Sequence, residues 1–294
     1  MEKFLPSLWL IISIITSVSF SVGLKISESG GRDRTINIFF QYLAGSIAGL
    51  ILFLGFSKRS ISAPTFCVGV VAGLTWAAAV ISLMISINEV GLVISGAVTR
   101  LSVILAVGAF AILRWETLSA LHWSGVALVC LAIVAISRPA AARGGKITAR
   151  GIVLMAVLFA TQGAAQIVMK MFERWSPAGE FFAFMTVLFA AATLFIAIWS
   201  VAGPRRLKMW EVGAVKISDV FMGAALGVVN LSTGIFWILA LEGGIPGSIM
   251  FAVWNAAGVM VLAVIGIAVW KEKPGAFGLT GIALTIIALV LLRM

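Results

Sequence analysis

The sequence predicts an all-α integral membrane protein of ten transmembrane helices arranged as two inverted five-helix repeats. Three observations lead there. First, 62% of the 294 residues are hydrophobic and only 11% charged, with a mean hydropathy of +1.15, whereas soluble domains carry roughly 25% charged residues. Second, ten apolar runs can be marked off, at about residues 5–26, 37–57, 64–87, 90–113, 118–137, 150–172, 178–202, 219–241, 246–269 and 274–292. Each approaches the roughly 20 residues that cross a 30 Å hydrocarbon core. Third, the two halves of the chain resemble each other.

Each run has its local justification. The first exceeds a signal-peptide apolar region of about 7–15 residues, so it reads as a retained helix. Pro6, Pro64, Pro177, Pro246 and Pro274 fall where helices open, a position at which a missing N–H costs little, and Pro139 and Pro204 fall in connections. No helix is expected to be interrupted at mid-membrane, which leaves recognition to side chains rather than to broken helices. The pairs Gly45/Gly49, Gly69/Gly73 and Gly223/Gly227 have the small-xxx-small spacing that lets helix backbones approach, and they read as packing positions. Trp9, Trp115, Trp175, Trp210 and Trp270 sit near helix ends, as interfacial anchors do.

Internal similarity defines the organisation. The segment from Arg114 through Glu116 and Gly125 to Leu128 aligns at an offset of 156 with Trp270 through Glu272 and Gly281 to Leu284. At 154, Gly69 falls on Gly223 and Gly73 on Gly227; at 145, Lys25 falls on Lys170 and Glu28 on Glu173. The expected division is a first repeat over 1–137, a basic linker over 138–148 and a second repeat over 149–294. Five is odd, so the second repeat must enter the membrane in the opposite sense.

Two five-helix repeats, each closing with a short glutamate-containing turn and then Gly-x-x-Leu on the last helix, resemble the EamA-like family of the drug/metabolite transporter superfamily. The turns here are Trp115-Glu116-Thr117-Leu118 and Lys271-Glu272-Lys273-Pro274. The resemblance covers essentially the whole chain. It implies a ten-helix secondary transporter, often an exporter, moving small organic metabolites through a central cavity between the halves in a plasma membrane, the bacterial inner membrane. Of the family's residues only Glu116 and Glu272 carry over, as structural groups.

Charge then picks out candidate residues. Arg100 lies about ten residues, roughly 15 Å, inside its helix, where a charge costs at least about 2.5–3.5 kcal/mol and usually faces a cavity or a partner. Every carboxylate (Glu2, Glu28, Asp33, Glu89, Glu116, Glu173, Glu180, Glu211, Asp219, Glu242, Glu272) falls near a helix end or in a loop. No acid waits at mid-depth to neutralise Arg100, so an incoming carboxylate or phosphate is the expected partner. At the offset of 154, Arg100 falls on Trp254 and Trp76 on Asn230; Asn255, Gln162 and Gln166 bring further polar groups to similar depth. These seven are the candidate substrate-binding residues, expected around one cavity. For each amide a helix-to-helix hydrogen bond is the competing role, and for each tryptophan it is packing.

Other classes fit poorly. The 21 Lys and Arg against 11 acids give +10, but the cations are scattered between apolar runs, at Lys58-Arg59, Arg143 to Arg150 and Arg205 to Lys208, where membrane lipid headgroups would meet them; no nucleic-acid stripe forms. One histidine, His122, and two separated thiols, Cys67 and Cys130, offer neither a nucleophile with its base nor a metal set, so neither enzyme chemistry, cofactor nor metal is expected. Translocation of an anionic lipid headgroup, or a non-transport scaffold, is the alternative to a small-molecule substrate. Loop charge, about 7 cations on the terminal side and about 13 on the other, leans toward external termini, and the family resemblance toward cytoplasmic ones.

Overall fold

A computed structural model describes residues 4–29, 34–57, 61–90, 92–141, 148–202, 215–270 and 275–293. Among them the only regular structure is helical: α1 (Phe4–Ser29), α2 (Arg34–Phe56), α3 (Ala63–Val90), α4 (Leu92–Leu101), α5 (Val103–Ile112), α6 (Ala120–Ala141), α7 (Ala149–Trp175), α8 (Phe181–Ala202), α9 (Ile217–Glu242), α10 (Gly247–Trp270) and α11 (Gly275–Arg293). The ten apolar runs coincide with these helices once α4 and α5 are taken as one run. Eight spans are long and apolar enough to cross a membrane, and α6 and α11 carry shorter apolar stretches, Ala120–Ala135 and Leu279–Leu291. The protein is therefore a membrane protein.

Two expectations need correction. The run over 90–113 is not one uninterrupted helix, because it breaks at Ser102. Pro139 lies inside the last turn of α6 rather than in a connection; so close to a helix end its missing N–H and ring disturb little of the helix that follows. Pro204, Pro274, Trp210, Glu211, Lys271, Glu272 and most of the basic linker lie outside the described residues.

The chain packs as two compact units, each drawing helices from both sequence halves: Met1–Ala77 with Val168–Gly243, and Ala78–Ile167 with Gly244–Met294. In the first, glycines set the geometry. Gly69 and Gly73 of α3 lie against Val187 and the Phe184 carbonyl, then the Leu188 carbonyl and Ala191, of α8. Gly223 and Gly227 of α9 lie against Phe40 and the Asn37 carbonyl, then the Gln41 carbonyl and Ala44, of α2. Numbers rise together in both pairs, so α3 runs parallel to α8 and α9 parallel to α2. Gly45 and Gly49 of α2 meet Phe189 and Thr186 of α8 in the reverse order, so those two are antiparallel. It follows that α3 and α9, whose glycines align in sequence, run in opposite directions.

The two sets of contacts also match in register. Phe40 and Val187, Asn37 and Phe184, Gln41 and Leu188, and Ala44 and Ala191 are all 147 positions apart. At the same spacing Tyr42 touches Phe189, with ring centroids 5.6 Å apart. Phe189 in turn meets the Trp76 ring at 6.2 Å, and Phe172 stacks on Phe184 at 4.1 Å. α1 lines the other side of α9 in antiparallel register, with Pro6 at Gly243, Trp9 stacked on Phe236 and the Ser13 hydroxyl donating to the Thr233 carbonyl at 3.1 Å.

In the second unit α6 packs along α11, and α10 touches α5, α6 and α11. Its centre is the buried row Val103, Ala106, Val107 and Phe110 of α5, with Phe110 against Phe251 of α10 at 5.6 Å. Both Glu116 oxygens receive backbone N–H bonds, from Gly247 at 2.6 Å and Ser248 at 2.9 Å, capping α10 where its N–H groups lack helical partners. That is a structural role for this glutamate. Elsewhere exposed apolar residues recur at helical spacing, Ile47, Ile51 and Leu54 on α2 and Leu194, Ile198 and Val201 on α8. These are faces that hydrocarbon would cover.

A methyl group at Gly73 or Gly227 would meet a neighbouring carbonyl oxygen closer than real Cβ atoms come, and backbone cannot swing aside. Gly73→Ala and Gly227→Ala should each lose about 1–3 kcal/mol, read as a lower melting temperature of the purified protein in detergent. Gly108→Ala, where nothing lies within 4 Å, should be neutral or stabilising through better helix propensity.

Candidate substrate-binding site

Ser102 stands between α4 and α5 with helical dihedrals, φ −59° and ψ −13°. Its hydroxyl donates to the Thr99 carbonyl at 2.6 Å and accepts from Gln166 Nε2 at 2.9 Å. A serine that bonds back one turn competes for a helix carbonyl and bends the helix. Sequence reading looked for proline or glycine at mid-helix and passed over Ser102; the signal that could have found it is a serine facing the amide of another helix. Gln166 thereby makes the helix-to-helix bond weighed as its competing role, while its Oε1 is buried without a partner.

Arg100 lies two residues before this break, half-buried, in the last turn of α4. Its guanidinium carbon sits 5.1 Å from the ring centroid of Trp254 on α10. One turn further along α10, a Cβ at Gly258 would stand 3.5 Å from Arg100 Nη1 and 3.9 Å from Cζ. Ring and glycine together make a platform on which the guanidinium rests. Cation–π contact of this kind contributes roughly 0.5–2 kcal/mol, less than a charge at mid-bilayer costs. Among the described residues no carboxylate comes within 4 Å of Arg100, and its N–H groups donate to no protein acceptor. The Trp254 indole Nε1 is also buried without a partner.

The remaining candidates divide by unit. With Arg100 and Trp254 in the second unit are Asn255, 2% exposed with Nδ2 donating to the Phe251 carbonyl of its own helix at 2.9 Å, and Gln162, half-buried, whose carbonyl receives a long bond from Gln166 at 3.4 Å. Trp76 and Asn230 belong to the first unit, both half-buried, Trp76 edge-on to Phe189. Arg100 and Trp254, superposed by the repeat alignment, thus touch each other. So do Tyr42 and Phe189, which sequence reasoning missed.

Several other described ionisable groups have local partners, although Asp219 Oδ1 is buried without one. His122 Nδ1 lies 2.8 Å from the Ser119 hydroxyl. Lys170, nearly buried, pairs with Glu173 at 2.9 Å. Asp219 is buried in the first turn of α9, where the helix dipole favours negative charge. Glu180 accepts from the Ser62 hydroxyl at 2.7 Å and the Ser62 N–H at 3.1 Å, at the start of α3. Desolvation alone would raise its pKa, but bonds from Thr65 and Ser62 outweigh it and hold the carboxyl below its ordinary range.

No protein-family model matches the chain. The multidrug resistance protein EbrA of Bacillus atrophaeus is 37% identical over 88 residues, 28% of this chain and 84% of that protein. EbrA of Bacillus subtilis is 36% identical over the same extent. An uncharacterized protein of Haemophilus influenzae is 24% identical over 291 residues, 95% of each chain. A solved crystal structure, described only as that of a protein, covers 97% of this chain and 98% of its own with a TM-score of 0.75 at 16% identity, a likeness of fold alone.

A depressed carboxyl contributes stability that is complete above the unfolded-state pKa and lost as pH falls through the folded-state value. Melting temperature should therefore fall on acidification below about pH 4.5, the ordinary glutamate value. Glu180→Gln should flatten part of that acid limb and leave the neutral limb parallel to wild type. An unchanged acid limb would show that the Ser62–Glu180 contact is not formed in solution.

Proposed function

Since the chain belongs to the family of the EbrA multidrug resistance proteins, we propose that it is a transporter of small organic compounds across a bacterial inner membrane, with Arg100, Gln162, Gln166, Trp254 and Asn255 of the second unit lining the solute path. The single observation that carries this reading is Arg100 itself. A charged side chain well inside an apolar helix, held by a ring yet lacking an acceptor, has its ready explanation in a polar path for solute. EbrA contributes the precedent that a related protein confers multidrug resistance.

Over the whole length we read the chain as an EamA-like member of the drug/metabolite transporter superfamily, built from inverted repeats over 1–137 and 149–294. The support is the opposed run of α3 and α9, the common spacing of 147 across their glycine contacts, and contact between the aligned residues Arg100 and Trp254. Residues near a two-fold axis touch their own symmetry mates. Because the acids gather at helix ends, we propose facilitated diffusion or exchange rather than proton coupling.

Reconstituted protein should show saturable uptake of compounds from a panel of amino acids, carboxylates, phosphorylated solutes and nucleosides, in either direction down a gradient. Collapsing the pH difference across the vesicles should leave that uptake unchanged; dependence on it would refute the coupling assignment. Asn255→Leu should lower flux more than it lowers the yield of folded protein. The opposite ranking would make Asn255 a structural amide.

A further inference from the structure

The transport reading leaves the chemistry of the solute open, and the surroundings of Arg100 narrow it. The guanidinium is placed rather than free: the Trp254 ring centroid lies 5.1 Å away, and Gly258 lies against it so closely that a Cβ there would already be in van der Waals contact with Nη1, Nη2 and Cζ. Orientation is thus fixed by an aromatic ring and a glycine, neither of which uses the N–H donors. No acceptor among the described residues takes those donors, and the indole N–H of the same tryptophan is buried and unused. Ser102, two residues on, has its hydroxyl committed to Thr99 and Gln166 rather than to Arg100.

Resting on the proposed transport function, we propose that Arg100, Trp254 and Gly258 form a preorganised receptor for one oxyanionic group of the solute. Arg100 supplies the planar fork, Trp254 supports it through its ring face, and Gly258 packs against it without a side chain. A planar fork matches a carboxylate with two parallel bonds, and an ammonium in its place would keep charge without that match. Because one cation stands there with no acid beside it among the described residues, the receptor favours a carboxylate over its uncharged amide and disfavours organic cations. The same oxyanion chemistry could come from a soluble solute or from a lipid headgroup.

The test uses purified full-length protein and three matched pairs: N-acetylphenylalanine, N-acetylleucine and indole-3-acetate, each against its amide. Binding is read by thermal stabilisation in a zwitterionic detergent, and flux by counterflow in vesicles of zwitterionic lipid. At least one pair should favour the carboxylate by about tenfold or more. Arg100→Gln should bring that carboxylate down to the level of its amide, Arg100→Lys should restore part of the preference, and Trp254→Leu should weaken it several-fold. No preference in any pair, or a preference that survives Arg100→Gln, overturns the receptor. Should Arg100→Gln fail to purify as monodisperse protein, Arg100→Lys and Trp254→Leu decide, since a purely structural cation would leave selectivity unchanged in both. Adding phosphatidylglycerol separates the sources: competition with the carboxylate, lost in Arg100→Lys, assigns the receptor to lipid headgroups, and none assigns it to soluble solutes. Carboxylate-selective binding without flux of any compound sinks the transport reading and keeps the receptor; flux indifferent to Arg100 does the reverse.

Discussion

Gly73 and Gly227 lie so close to the backbones of α8 and α2 that a single methyl group would collide with a carbonyl oxygen, and much of the first unit depends on that closeness. In hydrocarbon, burying apolar side chains gains little, because lipid tails are as apolar as leucine. What holds helices together is dense contact, and contact is densest where side chains are absent. The glycine rows let α3 settle on α8 and α9 on α2, and this close approach brings Tyr42, Phe189 and Trp76 into one aromatic cluster.

Helix ends meet a complementary demand, since backbone groups there have no partner of their own. Carboxylates meet it from a distance in sequence. Glu116 caps α10 across 131 and 132 residues, and Glu180 reaches Ser62 at the start of α3 across 118. Such bonds tie helix termini that are distant in the chain. They also account for acids that would otherwise invite a catalytic or ion-coupling role.

Arg100 stands apart among the described cations, resting on a ring face rather than on an acceptor. The other polar residues near it find partial partners: Gln166 on Ser102, Ser102 on Thr99, Asn255 on its own helix. The guanidinium has only a ring face and a glycine. It touches Trp254, the residue with which the internal alignment of the sequence pairs it.

Sequence by itself determined that the chain is a helical membrane protein, because hydropathy and run length are local properties fixed by the cost of unsatisfied backbone in hydrocarbon. It also picked out the glycine pairs as packing positions, readable from spacing alone. Tertiary structure decided what spacing cannot carry. The bond that the Ser102 hydroxyl accepts from Gln166, sixty-four residues away, is one such contact. That Pro139 is tolerated depends on how far α6 runs before it ends. That Gly258 matters follows only from which side chain comes to rest on it, and that compact units mix both sequence halves follows from which helices touch. Each of these is a contact between residues distant in the chain, and such contacts are chosen by packing in three dimensions, on which a one-dimensional pattern of apolar and polar residues places no constraint.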